Sequence, residues 1–566
     1  MLASTAVAGC FSSDDNNSAT QTGNRGNALA VTSDGLLISF DRENPSVSKT
    51  RLPLTGQSTA ETVIGMDFRP RDSRFYVVTR DSSNQGRVYT LDPNTAALTL
   101  VASLVANPTD TTEPYAGLNG SSFGVDFNPA ADALRIISNT GQNLRMFVAS
   151  NGTDRTAGQV FTDTPLTRTG STAAFTDTAT AYTNTFDGTT STRQFSIDST
   201  SGSLIQQSNP NGGITVTAAP LFATSSPVTS SNGFDIDGRN NVGYAVLNVG
   251  GSTGFYSIAI PDSTATLPQA APAATLVGAA PASNIVGLVI DQPAAPTVVA
   301  LDGNAAGAQR LLNFGLRNSN AATAVSITGL SAGESLLSLD YRPATAKIYG
   351  LSSLGRVFTV DNSTGAAVVV STLSVAPQIV AGLAAGKSYS VDINPAADAL
   401  RIVSSSQGGS SENYRVPGAN LETTGATTTD TPLAFAAPEP TPNTFSVVSV
   451  VYTNSFANPR PTATRMFDID ATNSRLLQQT NPNGGTLAAI GSLGATYSGF
   501  GGIDVSGGDN GARLIALRSG ISGAYSLFNL DLATGAASAA AMASGTNEIG
   551  TGANAGTALR AVTVKF

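Results

Sequence analysis

The sequence predicts an all-β protein built as two tandem five-bladed β-propellers. Three observations predict it. The whole domain is duplicated, a shorter four-strand unit recurs inside each copy, and the composition suits strands and turns rather than amphipathic helices.

The duplication rests on long matching stretches. Residues 126–138 read Asp-Phe-Asn-Pro-Ala-Ala-Asp-Ala-Leu-Arg-Ile-Ile-Ser and return at 392–404 as Asp-Ile-Asn-Pro-Ala-Ala-Asp-Ala-Leu-Arg-Ile-Val-Ser. Thr162–Leu166 returns as Thr429–Leu433, Tyr182–Phe186 as Tyr452–Phe456, and Leu204–Gly213 as Leu476–Gly485, always in the same order. The copies are predicted at 28–291 and 297–566, joined by the stiff Gln292-Pro-Ala-Ala-Pro296.

Within each copy the recurring unit opens on a strand of small and apolar residues. Ile64–Phe68, Phe123–Phe127, Ala179–Thr183, Gly233–Ile236 and Ile285–Val289 are the openers of copy one. Leu336–Tyr341, Tyr389–Ile393, Val448–Thr453, Gly501–Val505 and Leu559–Phe566 are those of copy two. A second strand and a hairpin follow, with turns such as Asp361-Asn-Ser-Thr-Gly365, Asp198-Ser-Thr-Ser-Gly202 and Asp531-Leu-Ala-Thr-Gly535, in which Asp caps and Gly takes the positive φ. Four strands roughly every 40–55 residues with no helical period between them is the pattern of propeller blades. Each copy ends on an opener without outer strands, and each starts with outer-type strands lacking an opener, at 28–40 and 297–314. The last strand therefore completes the first blade and closes the ring without a free edge. One ten-bladed ring closed across the copies is the alternative; a pair of β-sandwiches would not need the blade period.

Composition bounds the chemistry. The chain of 566 residues is 41% hydrophobic but only 12% charged, with 57 Gly and a net charge of -9. No basic run is present to displace the counterions of a nucleic acid, so no nucleic-acid partner is expected. There is no His and no Trp, and one Cys. That rules out Ser-His-Asp and Cys-His catalysis, imidazole-bound metals and an internal disulfide. An enzyme would have to work with Asp, Glu, Tyr, Lys or Arg.

The lone Cys10 follows Ala6-Val-Ala-Gly9, which resembles the lipobox of bacterial lipoproteins, where the Cys is acylated. The polar run after it reads as a disordered tether, so residues 1–27 form an anchor and linker. Nine residues precede Cys10 and none is basic, a departure from an ordinary signal peptide. The expected location is the cell surface, the outer membrane or the extracellular space, with membrane contact only through a lipid on Cys10.

Ser122–Pro129, Ser138–Arg145, Ala181–Asn184 and Asn209–Gly213 resemble a secreted bacterial family known only as a domain of unknown function. Copy two departs from it where Ser404–Ser410 replaces the Ser-Asn-Thr-Gly-Gln-Asn stretch. The resemblance implies an exported, propeller-like domain and assigns no catalytic residue.

Candidate site residues follow from placement. Asp67, Asp126, Asp235, Asp340, Asp392 and Asp504 sit on opener strands. A carboxylate packed between blades must be satisfied, so each is expected to bond backbone amides of the next blade, or the set rings the channel and holds a cation such as Ca²⁺ or a polar ligand. Arg135 and Arg401, mid-strand between Leu and Ile, should be interior ion pairs that fix the fold, with Asp126 or Asp132 and Asp392 or Asp398 as the expected partners; the other reading is a clamp on an anionic ligand. Tyr182 with Asn184, and Tyr452 with Asn454, recur nearly unchanged; Asn there would either replace the opener Asp or line a ligand face. Asp235–Asn241 starts like a calcium loop, but Val246 stands where the loop needs Glu, so a plain turn is expected. The function expected is a non-catalytic surface binding or scaffolding protein for a glycan, protein or its own copies. A self-assembling surface-layer or filament component and a carboxylate enzyme acting on polysaccharide are the alternatives.

Overall fold

The computed structural model describes residues 25–566 apart from 169–176, 224–227, 291–294, 304–307, 406–410, 439, 441–442, 458 and 521–522. Cys10, the tether, most of the joint between copies and most of the divergent Ser404–Ser410 stretch lie outside the described residues.

Among the described residues ten separate sheets of four or five strands form, five from each copy. In each, the opener is the innermost strand; outside the two closing sheets the chain then steps outward by antiparallel pairing, as in the second sheet, Thr62–Arg69, Arg74–Arg80, Gly86–Leu91 and Leu98–Ser103, and three sheets add a short outermost strand in parallel. The openers are nearly all buried because they face both neighbouring blades, whereas outermost strands such as Leu98–Ser103 are largely exposed. Turn chemistry ends the strands as expected. Asp361 Oδ1 accepts the Ser363 and Thr364 amides at 2.8 and 2.9 Å, and Gly365 follows at φ 74°. Asp531 and Gly535 repeat this turn. Asp198–Gly202 joins second to third strands instead, so it belongs to the opposite face.

Closure is made within each copy. Ala28–Thr32 pairs with Ile285–Ile290, placing Ala30 opposite Leu288, and Thr297–Asp302 pairs with Leu559–Lys565, placing Val299 opposite Thr563. Ile285–Ile290 packs between Val228–Asp237 and Thr62–Arg69, and Leu559–Lys565 between Gly499–Ser506 and Leu336–Arg342. Both cycles of five inner strands are complete, so the chain is two five-bladed rings and not one ring of ten.

Between the blades lie separate apolar clusters, for example Ile64, Val78, Phe127 and Ile136 between blades two and three. The junction of blades three and four in ring one is different: among the described residues its apolar cluster is only Ile137 and Leu166. The axis is tight. A Cβ on Gly65 would lie 2.5 Å from Val125 Cγ2, so inner strands approach here only because the side chain is missing. Ring two uses serine at equivalent positions. Ser338, Ser390 and Ser449 accept the amides of Val391, Val450 and Ile503 at 3.1–3.2 Å.

The rings meet through the loops that follow their inner strands, a side termed the lower face. Phe186 meets Phe566 edge-on at 5.3 Å, the Arg239 carbonyl accepts the Gly508 amide at 3.0 Å, and Arg193 pairs with Asp509. The upper mouth of ring one, where inner strands begin, stays open. A helix the sequence pattern did not predict, Ala376–Ala384, is inserted between two blades of ring two with Pro377 in its first turn.

Candidate functional site

The six opener aspartates come together as two trios. One carboxylate oxygen from each of Asp67, Asp126 and Asp235 lies within 4.8 Å of the other two, and Asp340, Asp392 and Asp504 repeat the arrangement in ring two. All six are buried. Each reaches forward to the next inner strand. Asp67 accepts the Phe127 amide at 2.6 Å, Asp126 that of Tyr182 at 3.0 Å and Asp235 that of Ile290 at 2.6 Å. In ring two the donors are Ile393 at 2.8 Å, Tyr452 at 2.9 Å and Val564. The donor is the residue after the opener position, which identifies the positions without acid. They are Ala181 and Val289 in ring one, and Val451 and Thr563 in ring two. Thr563 keeps the role by its hydroxyl, accepting the Tyr341 amide at 3.0 Å and donating to Asp340 at 2.9 Å.

No described ion pair neutralises these acids. Burial raises all six, and for Asp67, Asp126, Asp340 and Asp392 the neighbouring carboxylates raise them further. Burial brings Asp235 to about 7, Asp340 to about 8 and Asp504 to about 6. At neutral pH the trios therefore retain protons unless a cation replaces them. The oxygen spacing suits one hard cation, whose ligands at about 2.4 Å span at most twice that distance. The Ca²⁺ expectation thus has three carboxylate donors per ring available to it.

This has a consequence for stability. A carboxyl whose folded value lies above its ordinary 3.8 stabilises the fold fully below that value and loses the contribution as pH rises through the folded value. The melting temperature should fall as pH rises from about 4 to 8, the slope easing in turn as Asp504, Asp235 and Asp340 ionise at about 6, 7 and 8. Asp340→Asn should flatten the slope, since an amide cannot ionise. Thermal melts across this range check it, and Ca²⁺ should restore stability at the alkaline end if the trio takes a cation. A melting temperature that rises with pH would contradict it.

Arg135 and Arg401 are buried ion pairs, but with other partners than expected. Arg135 Nη1 lies 2.6 Å from Asp163, and Arg401 Nη1 lies 2.6 Å from Asp430. Asp126 and Asp392, directly across the strand pair, are committed to the next blade's amides. Asp132 and Asp398 instead accept Arg69 and Arg342 in bidentate pairs. Around each arginine the network is the same in both rings. Nε donates to the Tyr182 or Tyr452 hydroxyl at 3.3 or 3.1 Å, Nη1 to Asn143 or Asn413 at 2.7 or 2.8 Å, and Nη2 to Asn211 or Asn483 at 2.7 Å. A second arginine, Arg145 or Arg415, shares the same aspartate at 3.1 Å.

Asn184 and Asn454 do not replace an opener Asp; that position belongs to Ala181 and Val451. They turn the chain at φ 58° and 62°, and their side chains bond the Ser191 and Ala463 carbonyls. Asp235–Asn241 contains a turn, in which Asp237 pairs with Arg42 and Arg239. Sequence reasoning missed Asp163, Asp430, Asn143, Asn413, Asn211 and Asn483. Several lie in stretches already matched between copies, Thr162–Leu166 and Asn209–Gly213, so their repetition was the available signal.

Above the acid trio of ring one, the axis holds a space of about 10 Å³ lined by Gly65, Gly124, Gly233 and Gly287. Over it, at the upper mouth, a cavity of about 270 Å³ is lined by Ser33, Thr62, Arg80, Ser121, Ser122 and Ser230 with apolar neighbours including Ile64 and Phe123.

The family described as Domain of unknown function (DUF4394) matches the chain twice, over residues 36–280 and 310–551. No curated protein matches. Among solved structures, a putative 6-phosphogluconolactonase from Bacteroides uniformis is similar at 13% identity, covering 60% of this chain and 94% of that one, with a TM-score of 0.24. The β-propeller domain of Myceliophteria thermophila Cps50 (Swd1) is similar at 10% identity, covering 74% and 96%, with a TM-score of 0.23.

Proposed function

For a chain that belongs to the DUF4394 family and carries its domain twice, we propose an exported, surface-anchored binding protein that works without catalysis. The upper mouth of ring one would take a neutral, hydroxyl-rich ligand such as a glycan, and Cys10 would carry the lipid anchor. The observation that carries this reading is the cavity of about 270 Å³ on the ring axis. It offers hydroxyls for orientation and apolar side chains for contact, the mixture that small-ligand pockets use. Arg80 is held at the rim over the Phe123 ring at 5.2 Å and donates to the Gly120 carbonyl at 2.6 Å.

The geometry speaks against polysaccharide cleavage by the acid trios. Their carboxyls are close together and raised, as a general acid would be, but a sugar ring cannot enter the 10 Å³ space above those of ring one. Their hydrogen bonds make them clasps between blades.

Titration of the full chain with a panel of neutral glycans tests the proposal. Saturable binding is expected, with a loss of tenfold or more, on the order of 1.4 kcal/mol, when Thr62→Trp fills the mouth. Binding that Thr62→Trp leaves unchanged, or no binding across the panel, would refute it.

A further inference from the structure

Ring two has a cavity of about 300 Å³ at its lower face, between blades three and four. Its walls include Arg401, Arg415, Tyr452, Thr464, Asn481 and Asn483. In ring one the equivalent residues are Arg135, Arg145, Tyr182, Thr192, Asn209 and Asn211, the same types at every position. The remaining lining positions, Asn394, Ala397, Ala399 and Pro482, are identical in ring one as well.

Core positions beside this wall are held in part: Phe195, Ile197 and Leu204 return as Phe467, Ile469 and Leu476, while two cross-strand pairs differ. Tyr452 is paired with Met466 where Tyr182 is paired with Gln194, and Val450 with Asp468 where Thr180 faces Ser196.

The wall is rich in donors and positively charged. Arg401 and Arg415 share a single carboxylate, Asp430. Four of the five N–H groups of Arg401 are used, on Tyr452, Asn413, Asp430 and Asn483, which leaves one on Nη2. Arg415 uses two, both on Asp430, and leaves three. The Asn481 carbonyl oxygen accepts the Gly484 amide, so its amide nitrogen is the group left for a ligand. Beside the strand pair, burial raises Asp468 to about 7, so it adds little negative charge to oppose the arginines. A guanidinium fork recognises a planar carboxylate by paired hydrogen bonds.

We propose that this cavity binds a small ligand through its carboxylate, with Arg415 and Arg401 on the carboxylate and Asn481 and Thr464 on flanking polar groups. Ring one carries a second such site, built on Arg145 and Arg135. Two sources offer this chemistry, a sugar acid or a simple organic acid.

Calorimetric titration of the full chain with sodium glucuronate, sodium succinate and, as the neutral control, glucose tests the proposal. At least one of the two acids should bind saturably at two sites, and glucose should not. Tighter glucuronate binding would assign a sugar acid, and tighter succinate binding an organic acid. Arg415→Gln should weaken one site roughly tenfold and Arg145→Gln the other, with Arg415→Lys retaining part of the affinity. Arg415 is part-exposed, and Asp430 keeps Arg401 when it is replaced, so an unchanged circular dichroism spectrum should accompany the loss. Absence of saturable binding by either acid up to ~10 mM would overturn the proposal. So would equal binding of glucose, or binding that Arg415→Gln leaves unaltered.

Discussion

Removing Leu559–Phe566 should abolish the folding of ring two. Leu559, Ala561, Val562 and Val564 are all buried, and each large one is worth about 1.5–3 kcal/mol. The same deletion removes the inner strand with which Thr297–Asp302 pairs. It also takes away the Val564 amide held by Asp504 and the Thr563 hydroxyl that serves both Asp340 and the Tyr341 amide. Together these losses approach the roughly 5–15 kcal/mol by which a domain is stable. Phe566 also packs on Phe186, so the contact between rings weakens too. Differential scanning calorimetry should show the ring-two transition missing and that of ring one retained. An added peptide spanning 556–566 should restore part of it. A truncated chain that melts like the full one would show that the last strand does not close the ring.

Asp430→Ala should be the most damaging single substitution. It strips the shared partner from Arg401 and Arg415, and the Arg401 side chain is only 3% exposed, meeting solvent just at the cavity wall. Breaking a buried pair from one side costs about 3–5 kcal/mol, because the remaining charge is stranded. The ring-two melting temperature should fall by roughly 10 °C. Asp430→Asn should cost less, since it keeps an acceptor oxygen. Asp163→Ala should do the same to ring one through Arg135 and Arg145. Thermal melts of the variants in the full chain decide this, and a change below about 1 kcal/mol would contradict the network's role.

The closure was legible in the sequence because it is a matter of bookkeeping along the chain. Strands at 28–40 and 297–314 lack an opener while 285–291 and 559–566 lack outer strands, and sheets avoid free edges. The clasping role of the opener aspartates followed for a similar reason, since an acid on a doubly packed strand needs a donor and the next blade's amides are nearest. The arginine partners were not legible. Asp126 lies directly across from Arg135 and looks available, yet it faces forward into the next blade, while Asp163 arrives from the far end of the same sheet after a loop. Side-chain direction between packed blades decides that choice, and strand periodicity does not encode it. Nor did the pattern show that Ala181 and Val451 occupy the opener position, because Asn184 and Asn454 stand three residues on and are the polar residues the eye selects. The helix Ala376–Ala384 escaped because nine residues with Gln378 as their one polar side chain carry too little period to stand out.

Separate production of residues 25–296 and 297–566 tests the two-ring account most directly. Each half contains every strand of its own five blades, including the pairs Ala30 with Leu288 and Val299 with Thr563. Each should therefore fold alone and unfold in one cooperative transition followed by circular dichroism. Halves that stay unfolded until mixed would contradict the account, since that is how a single ring shared between the copies would behave.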